Sequence, residues 1–281
     1  MAHLDFAHVR RAVSAVVESG LQLLFPPRCV NCGRTGEHFC AACAQAVEAT
    51  PHPQCARCGL HQPIVTTRCP NCVQIGESPL LLTRAAALHT TPLREAIHAF
   101  KYDGQPELAW LLARYLVATF AQPPWSTLPR AITAVVPVPL HEQRLVERGY
   151  NQSELLAAHF CAAVQLPLQP TWLQRVRETR QQVGLGPSER RANVEGAFVA
   201  RGEVAGQSLL LVDDVYTTGA TLRACAHAAM VAGAHAVYGL TLAQPVRRAP
   251  NIGEAAPDRE CQEQEHELSQ PPTEVWWEGE L

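Results

Sequence analysis

An α/β fold built on a parallel sheet and preceded by a small cysteine-rich metal-binding module follows from two features of this 281-residue sequence. Residues 80–249 alternate short apolar, strand-like runs with helical patterns, as a sheet joined by crossover helices requires. Residues 25–79 lack long apolar periodicity but hold eight of the eleven cysteines, arranged as four C-x-x-C pairs. With 47% hydrophobic and 17% charged residues the chain can bury a core, and 22 Pro with 17 Gly are too few for a fibrous or low-complexity chain.

The opening, residues 1–24, spaces Leu4, Val9, Val13, Val16, Val17, Leu21 and Leu24 near helical intervals and ends at Pro26-Pro27. It reads as an amphipathic helix that packs on the rest of the chain, a membrane surface or partner protein being the alternative. Glu18 interrupts its apolar stretch, so it does not read as a secretory leader, and no run of 18 apolar residues offers a transmembrane segment. A cytoplasmic location is expected, where thiols persist as metal ligands.

Residues 25–79 are too poor in apolar groups to fold unaided and need staples. Cys29-x-x-Cys32, Cys40-x-x-Cys43, Cys55-x-x-Cys58 and Cys69-x-x-Cys72 are four knuckles, each able to put two thiolates on one side of a tight turn. Eight thiolates make two tetrahedral sites, and Zn²⁺ suits four sulfurs with no open position. Binding of two structural ions supplies folding energy that the segment lacks. Gly33 and Gly59, each following a second cysteine, fit the turn. Iron–sulfur and disulfide readings fit less well. Consecutive knuckles sharing an ion close shorter loops than a cross-brace would, a weak preference because loop entropy is logarithmic in length.

From residue 80 onward the pattern predicts strands near 85–89, 131–136, 208–212 and 236–242, with helices near 92–101, 107–120, 152–164 and 220–231. Cys161 and Cys225 fall inside helices and read as small core residues. Residues 250–281 hold nine acids against one base, contain Pro257, Pro271 and Pro272, and read as a disordered tail with Trp276 and Trp277 as its one oddity. Before residue 250 there are 17 acids and 22 bases, about +5, and Lys101 is the single lysine. An arginine-rich body suits an anionic ligand, although genomic base composition explains the preference equally well.

The strongest signal is Leu209-Leu210-Leu211-Val212-Asp213-Asp214-Val215-Tyr216-Thr217-Thr218-Gly219-Ala220-Thr221. An apolar strand ends in two acids, and a hydroxyl-bearing loop leads into a helix. Backbone N–H groups at a helix N-terminus hold a dianionic phosphate, and the threonine hydroxyls add donors. Gly219 lets the backbone come close. At the carboxyl end of a strand, Asp213 and Asp214 can accept from vicinal sugar hydroxyls or face a magnesium ion.

This run resembles the phosphoribosyl diphosphate (PRPP) motif of type I phosphoribosyltransferases. Two further stretches are similar to the ComF family of competence-associated proteins. One is Pro137-Val138-Pro139-Leu140 followed by Arg144, Arg148-Gly149-Tyr150-Asn151-Gln152 and Leu155. The other comprises Thr179, Gln182, Leu185, Glu189-Arg190, Asn193 and Ala197-Phe198. The knuckles opening on Leu24-Phe25-Pro26-Pro27-Arg28-Cys29 complete the resemblance.

The resemblance implies a type I phosphoribosyltransferase-like sheet with helices on both faces. It implies a PRPP or ribose 5-phosphate ligand held by Asp213, Asp214, Thr217, Thr218, Gly219, Ala220 and Thr221, with Mg²⁺ accompanying the diphosphate. The diphosphate falls on residues 138–149, including Val138, Arg144 and Arg148; the residues agree, because these arginines are one helical turn apart and flank a Gly-Tyr-Asn break. An ion pair with Glu147 or Glu142 is the alternative. Residues 175–193, with five arginines and Gly184 and Gly186 as hinges, correspond to a loop that closes over the diphosphate. Lys101 follows a helix, so it reads either as an anion contact or as a charge at a helix C-terminus. The acceptor is expected in a gap bordered by the cysteine module and residues 80–125, in place of the family's hood. A catalytic reading makes Asp213, Asp214 and Arg144 the working residues of pentosyl transfer. A non-catalytic module that binds nucleotide or single-stranded DNA, with DNA-uptake proteins as partners, stays open beside it.

Overall fold

A computed structural model of the protein describes residues 26–128, 132–177 and 194–246. The expected N-terminal helix, the acidic tail and residues 178–193 of the expected closing loop lie outside the described residues. Four strands, Leu80–Leu88 (β1), Ala134–Pro137 (β2), Ser208–Val215 (β5) and Ala236–Gln244 (β6), form one sheet in the order β1-β6-β5-β2. Every pairing in it is parallel. Leu173–Arg175 (β3) and Phe198–Ala200 (β4) make a separate antiparallel pair that the sequence patterns did not announce, each being only three residues long.

The central strand β6 is buried at all nine positions, which is why its sequence, Ala-Val-Tyr-Gly-Leu-Thr-Leu-Ala-Gln, is nearly continuously apolar rather than alternating. Residues of opposite parity on the strands feed two cores, except on β1, where a register shift between Leu80 and Leu82 sends these two to opposite faces. Leu82, Leu210, Val212, Leu240 and Leu242 pack with the helices Leu93–Tyr102 (α3), Leu108–Phe120 (α4) and Gln152–Val164 (α6). On the opposite face Leu80, Val136, Leu209, Leu211 and Val237 pack with Ala220–Val231 (α7). Helix α3 buries Leu93, Ala96, Ile97 and Phe100, the i, i+3, i+4, i+7 spacing of a single apolar face, and α4 buries Leu108, Leu112 and Leu116 at i, i+4, i+8. Each fully buried Leu or Phe contributes about 1.5–3 kcal/mol. The α/β class with helices on both faces is therefore what the chain adopts.

The cysteine module seals the open edge of this sheet. Strand β1 is an edge strand, and the module answers its backbone groups: Thr83 donates to the Arg57 carbonyl at 2.7 Å, Leu88 to the Glu48 carbonyl at 2.8 Å, and Ala49 bridges Ala87. The Arg84 guanidinium donates to the carbonyls of Cys55 and Ala56. Gly59, at φ +71°, lies so close to β1 that a Cβ would meet the Thr83 carbonyl oxygen at 2.7 Å. Cys29, Cys40 and Cys43 join the α3/α4/α6 core, whereas Cys55, Cys58, Cys69 and Cys72 join the α7 core. The short helices Ala41–Gln45 (α1) and Pro70–Ile75 (α2) carry the second and fourth knuckles.

One expectation is corrected here. Residues 80–125 do not form a hood over an acceptor gap: β1 completes the sheet beside β6, and α3 and α4 build its main helical layer. Long apolar side chains spaced for burial on both elements decide this, because they belong to a core and not to a lid.

Candidate functional site

Two four-cysteine sets are assembled from consecutive knuckles, Cys29/Cys32/Cys40/Cys43 and Cys55/Cys58/Cys69/Cys72, with the sulfurs of each set within 4.8 Å of one another. All are free thiols, and in both sets only Cys32 is exposed. Hydrogen bonding from Cys58 pulls the Cys72 thiol down to about 5, while the same contact pushes Cys58 up. Thiols this crowded resist carrying charge together, and a dication removes the conflict. The arrangement is consistent with two structural zinc ions.

The second site lies at the carboxyl ends of β5 and β2. Strand β5 extends three residues beyond its expected end, so Asp213 and Asp214 are held in register with β6, Asp213 opposite Thr241. Asp214 is buried at 4% exposure; its Oδ1 accepts from Lys101 Nζ at 2.8 Å, and its Oδ2 has no hydrogen-bond partner among the described residues. Lys101 thus contacts the acid pair from the last turn of α3. Asp213 Oδ1 accepts from the Ser153 hydroxyl at 2.9 Å and from the Asp214 N–H at 2.9 Å. Burial, followed by the charge of Asp214, pushes the Asp213 carboxyl up to about 7.

Beyond the acids, Tyr216 donates its N–H to the Ala243 carbonyl, and the chain turns through Thr217 and Thr218 to Gly219. Gly219 precedes α7 at φ +70°, and a Cβ there would lie 2.6 Å from the Tyr216 ring. The Thr218 hydroxyl accepts from the Ala220 N–H at 3.3 Å, and its carbonyl accepts from Arg223 at 2.8 Å. These bonds present the N-terminus of a twelve-residue helix, with Thr217, Thr218 and Thr221 around it, beside two carboxylates.

Residues 20–73 match the double zinc ribbon domain. The chain is 31% identical over 204 residues to competence protein F of Haemophilus influenzae, covering 69% of this chain and 87% of that one. The chain belongs to the ComF family. It is also 31% identical over 199 residues to the DNA utilization protein YhgH of Salmonella typhimurium, at 71% and 87% coverage. Among solved structures, glutamine phosphoribosylpyrophosphate amidotransferase from B. subtilis, complexed with ADP and GMP, superposes on 50% of this chain and 26% of its own, at 20% identity and a TM-score of 0.30.

In this ComF-family protein the segment after β2 holds a helix, Glu142–Arg148 (α5), that ends at Gly149 in the left-handed region. Arg144 lies 3.8 Å from Glu147, the ion pair weighed from sequence. Arg148 turns to the Tyr102 ring, 5.3 Å from its centroid, and donates to Gln152. The two arginines therefore have separate partners among these contacts. Val138 is buried with both backbone groups engaged: its N–H donates to Val212 and its carbonyl accepts from Asn151. Arg175, the first residue of the expected loop, lies against the Phe198 ring and is close enough to Asp213 and Arg144 to feel both charges.

Ser153 and Arg223 are site neighbours that sequence reasoning did not single out, whereas Arg175 was expected only as part of the loop. For Ser153 the signal was present, since Asn151 caps α6 and its side-chain oxygen accepts from the Ser153 N–H at 3.1 Å. Asp213 carries a stability consequence with a definite sign. Its folded value near 7 lies above the ordinary 3.8 of the unfolded chain, so between these pH values the native state binds more protons. The Asp213 contribution therefore falls as pH rises from about 4 to 7. Asp213→Asn is expected to raise the melting temperature at pH 8 relative to the parent, and by less at pH 5, while weakening ligand binding. Melting curves at the two pH values check this.

Among the described residues no helix is long and apolar enough to cross a membrane.

Proposed function

We propose that this protein binds PRPP or a ribose 5-phosphate ligand at the carboxyl ends of β5 and β2, and that it serves DNA uptake or DNA use, as the names of its relatives indicate. The observation that carries the reading is the placement of Asp213 and Asp214 at the end of β5, one short loop before the α7 N-terminus. In it, the backbone and hydroxyls of Thr217, Thr218, Gly219, Ala220 and Thr221 take the 5-phosphate, and the acids accept from the ribose hydroxyls. Arg144 and Arg175 face the diphosphate, with Lys101 holding Asp214 in place. Mg²⁺ bound with the diphosphate supplies charge neutralisation of the leaving group. The side chains contribute orientation and electrostatic stabilisation as diphosphate leaves C1, and no protein nucleophile is needed. Residues 25–79 are assigned as the zinc module, stable in a reducing cytoplasm, and 80–249 as the ligand-binding body.

The name of the YhgH relative favours a second reading, a non-catalytic module that binds single-stranded DNA. The test is calorimetric titration with Mg-PRPP, followed by measuring diphosphate release against a panel of bases and amines. Binding with release supports an enzyme. Binding without release supports the module, and DNA that competes with PRPP places both ligands at one site.

A further inference from the structure

A chain of hydrogen bonds runs from the segment after β2 to the acid pair. The Val138 carbonyl accepts from Asn151 Nδ2 at 3.1 Å, Asn151 Oδ1 accepts from the Ser153 N–H at 3.1 Å, and the Ser153 hydroxyl donates to Asp213 Oδ1 at 2.9 Å. Ser153 is fully buried. With the Asp214 N–H also on Oδ1, that oxygen has two donors, whereas Oδ2 takes no hydrogen bond among the described residues. A hydroxyl has one proton to give, and here it is given to a carboxylate. The arrangement orients Asp213 so that one oxygen is satisfied by the protein and the other remains an acceptor.

We infer that Ser153 is the positioning residue of the ribose subsite: aimed by Asn151, its hydroxyl holds the Asp213 carboxylate with Oδ2 directed to a vicinal hydroxyl of the ligand. The inference rests on the PRPP reading above and deepens it. It ties the residues next to the diphosphate to those that grip the sugar, through three side chains on two elements. The groups around Asp213 are Asp214 on its own strand, Lys101 from α3, Ser153 from α6, Arg175 from β3 and Cys225 from α7. Burial and Asp214 oppose its charge, while Lys101, the Asp214 N–H and the Ser153 hydroxyl favour it. Loss of the hydroxyl therefore moves ionisation of Asp213 to higher pH.

The experiment compares the full-length parent, Ser153→Ala and Ser153→Thr by calorimetry with Mg-PRPP from pH 6 to 9. The carboxyl ¹³C resonance of Asp213 is titrated in each free protein. The parent is expected to gain affinity through pH 7. In Ser153→Ala the midpoint should move up by about one unit, so that affinity falls about fivefold at pH 7 and the gap closes by pH 9. Ser153→Thr, which keeps the hydroxyl, should follow the parent. A Ser153→Ala curve that matches the parent, or that is weaker by the same factor at every pH, overturns the positioning role, as does an unmoved ¹³C midpoint. If the parent itself shows no PRPP binding, the functional reading fails, and the ¹³C midpoints alone then decide whether Ser153 sets the state of Asp213.

Discussion

Treatment with a strong chelator at neutral pH is expected to remove two zinc ions per chain and to unfold residues 26–79, exposing the β1 edge to aggregation. The expectation follows from where the thiols lie. Seven of the eight are buried, and they are divided between the cores on the two faces of the sheet, so the metal sites and the apolar packing are not separable. A segment without its own core depends on the ions for folding, and structural zinc in small modules is worth about 10–16 kcal/mol at pH 7. The backbone of β1 that accepts the module at Thr83 and Leu88 would be left as an unpaired edge. The two sites should not empty together: Cys32 gives the first an exposed thiolate, while the second is buried throughout. Zinc release followed with a colorimetric indicator should therefore be biphasic, with Cys32→Ser accelerating the fast phase only. A protein purified without chelator that contains no zinc would contradict the assignment.

Replacing Lys101 with Met is expected to lower the melting temperature by about 10 °C and to abolish PRPP binding. The side chains of Lys101 and Asp214 are 19% and 6% exposed, and their 2.8 Å contact is the only hydrogen bond that Asp214 Oδ1 receives among the described residues. Oδ2 already has none. Removing the cation leaves a buried carboxylate without a partner, which costs about 3–5 kcal/mol in comparable pairs, or roughly 2–4 °C for each kcal/mol at this chain length. The double variant Lys101→Met/Asp214→Asn should recover most of the stability and none of the binding, because it removes the unpaired charge but also an acid of the site. Equal melting temperatures for the single variant and the parent would show the pair to be incidental.

The elements were largely legible because they are long and periodic. Helix α6 was expected at 152–164 and occupies Gln152–Val164, since its apolar spacing and the Asn151 cap agree. The four knuckles, the two acids and the glycine before α7 were readable as local patterns. Gly219 carried one reason in the sequence, close approach of a phosphate, and the structure adds another in the Tyr216 ring that fills the space a side chain would need. What could not be read was long-range. Nothing near Lys101 in sequence indicates that it meets Asp214, 113 residues away, or that Ser153 meets Asp213, 60 residues away. Pairing of β1 with β6 likewise joins residues more than 150 positions apart, so the place of β1 in the strand order was not readable from local pattern. For Arg144 and Arg148 the one-turn spacing was legible, but the partners of Arg148, Tyr102 and Gln152, come from other elements and were not.

The central claim, that the β5 acids and the α7 N-terminus hold a phosphoribosyl ligand, is tested most directly by calorimetric titration of the zinc-loaded full chain with Mg-PRPP, beside Asp214→Ala. The account predicts a single site in the parent and a loss of about tenfold to more than hundredfold in the variant, the 1.5–3 kcal/mol of a charge-assisted hydrogen bond. Equal affinity in parent and variant would place the ligand elsewhere, and no binding by a folded, zinc-loaded parent would contradict the account outright.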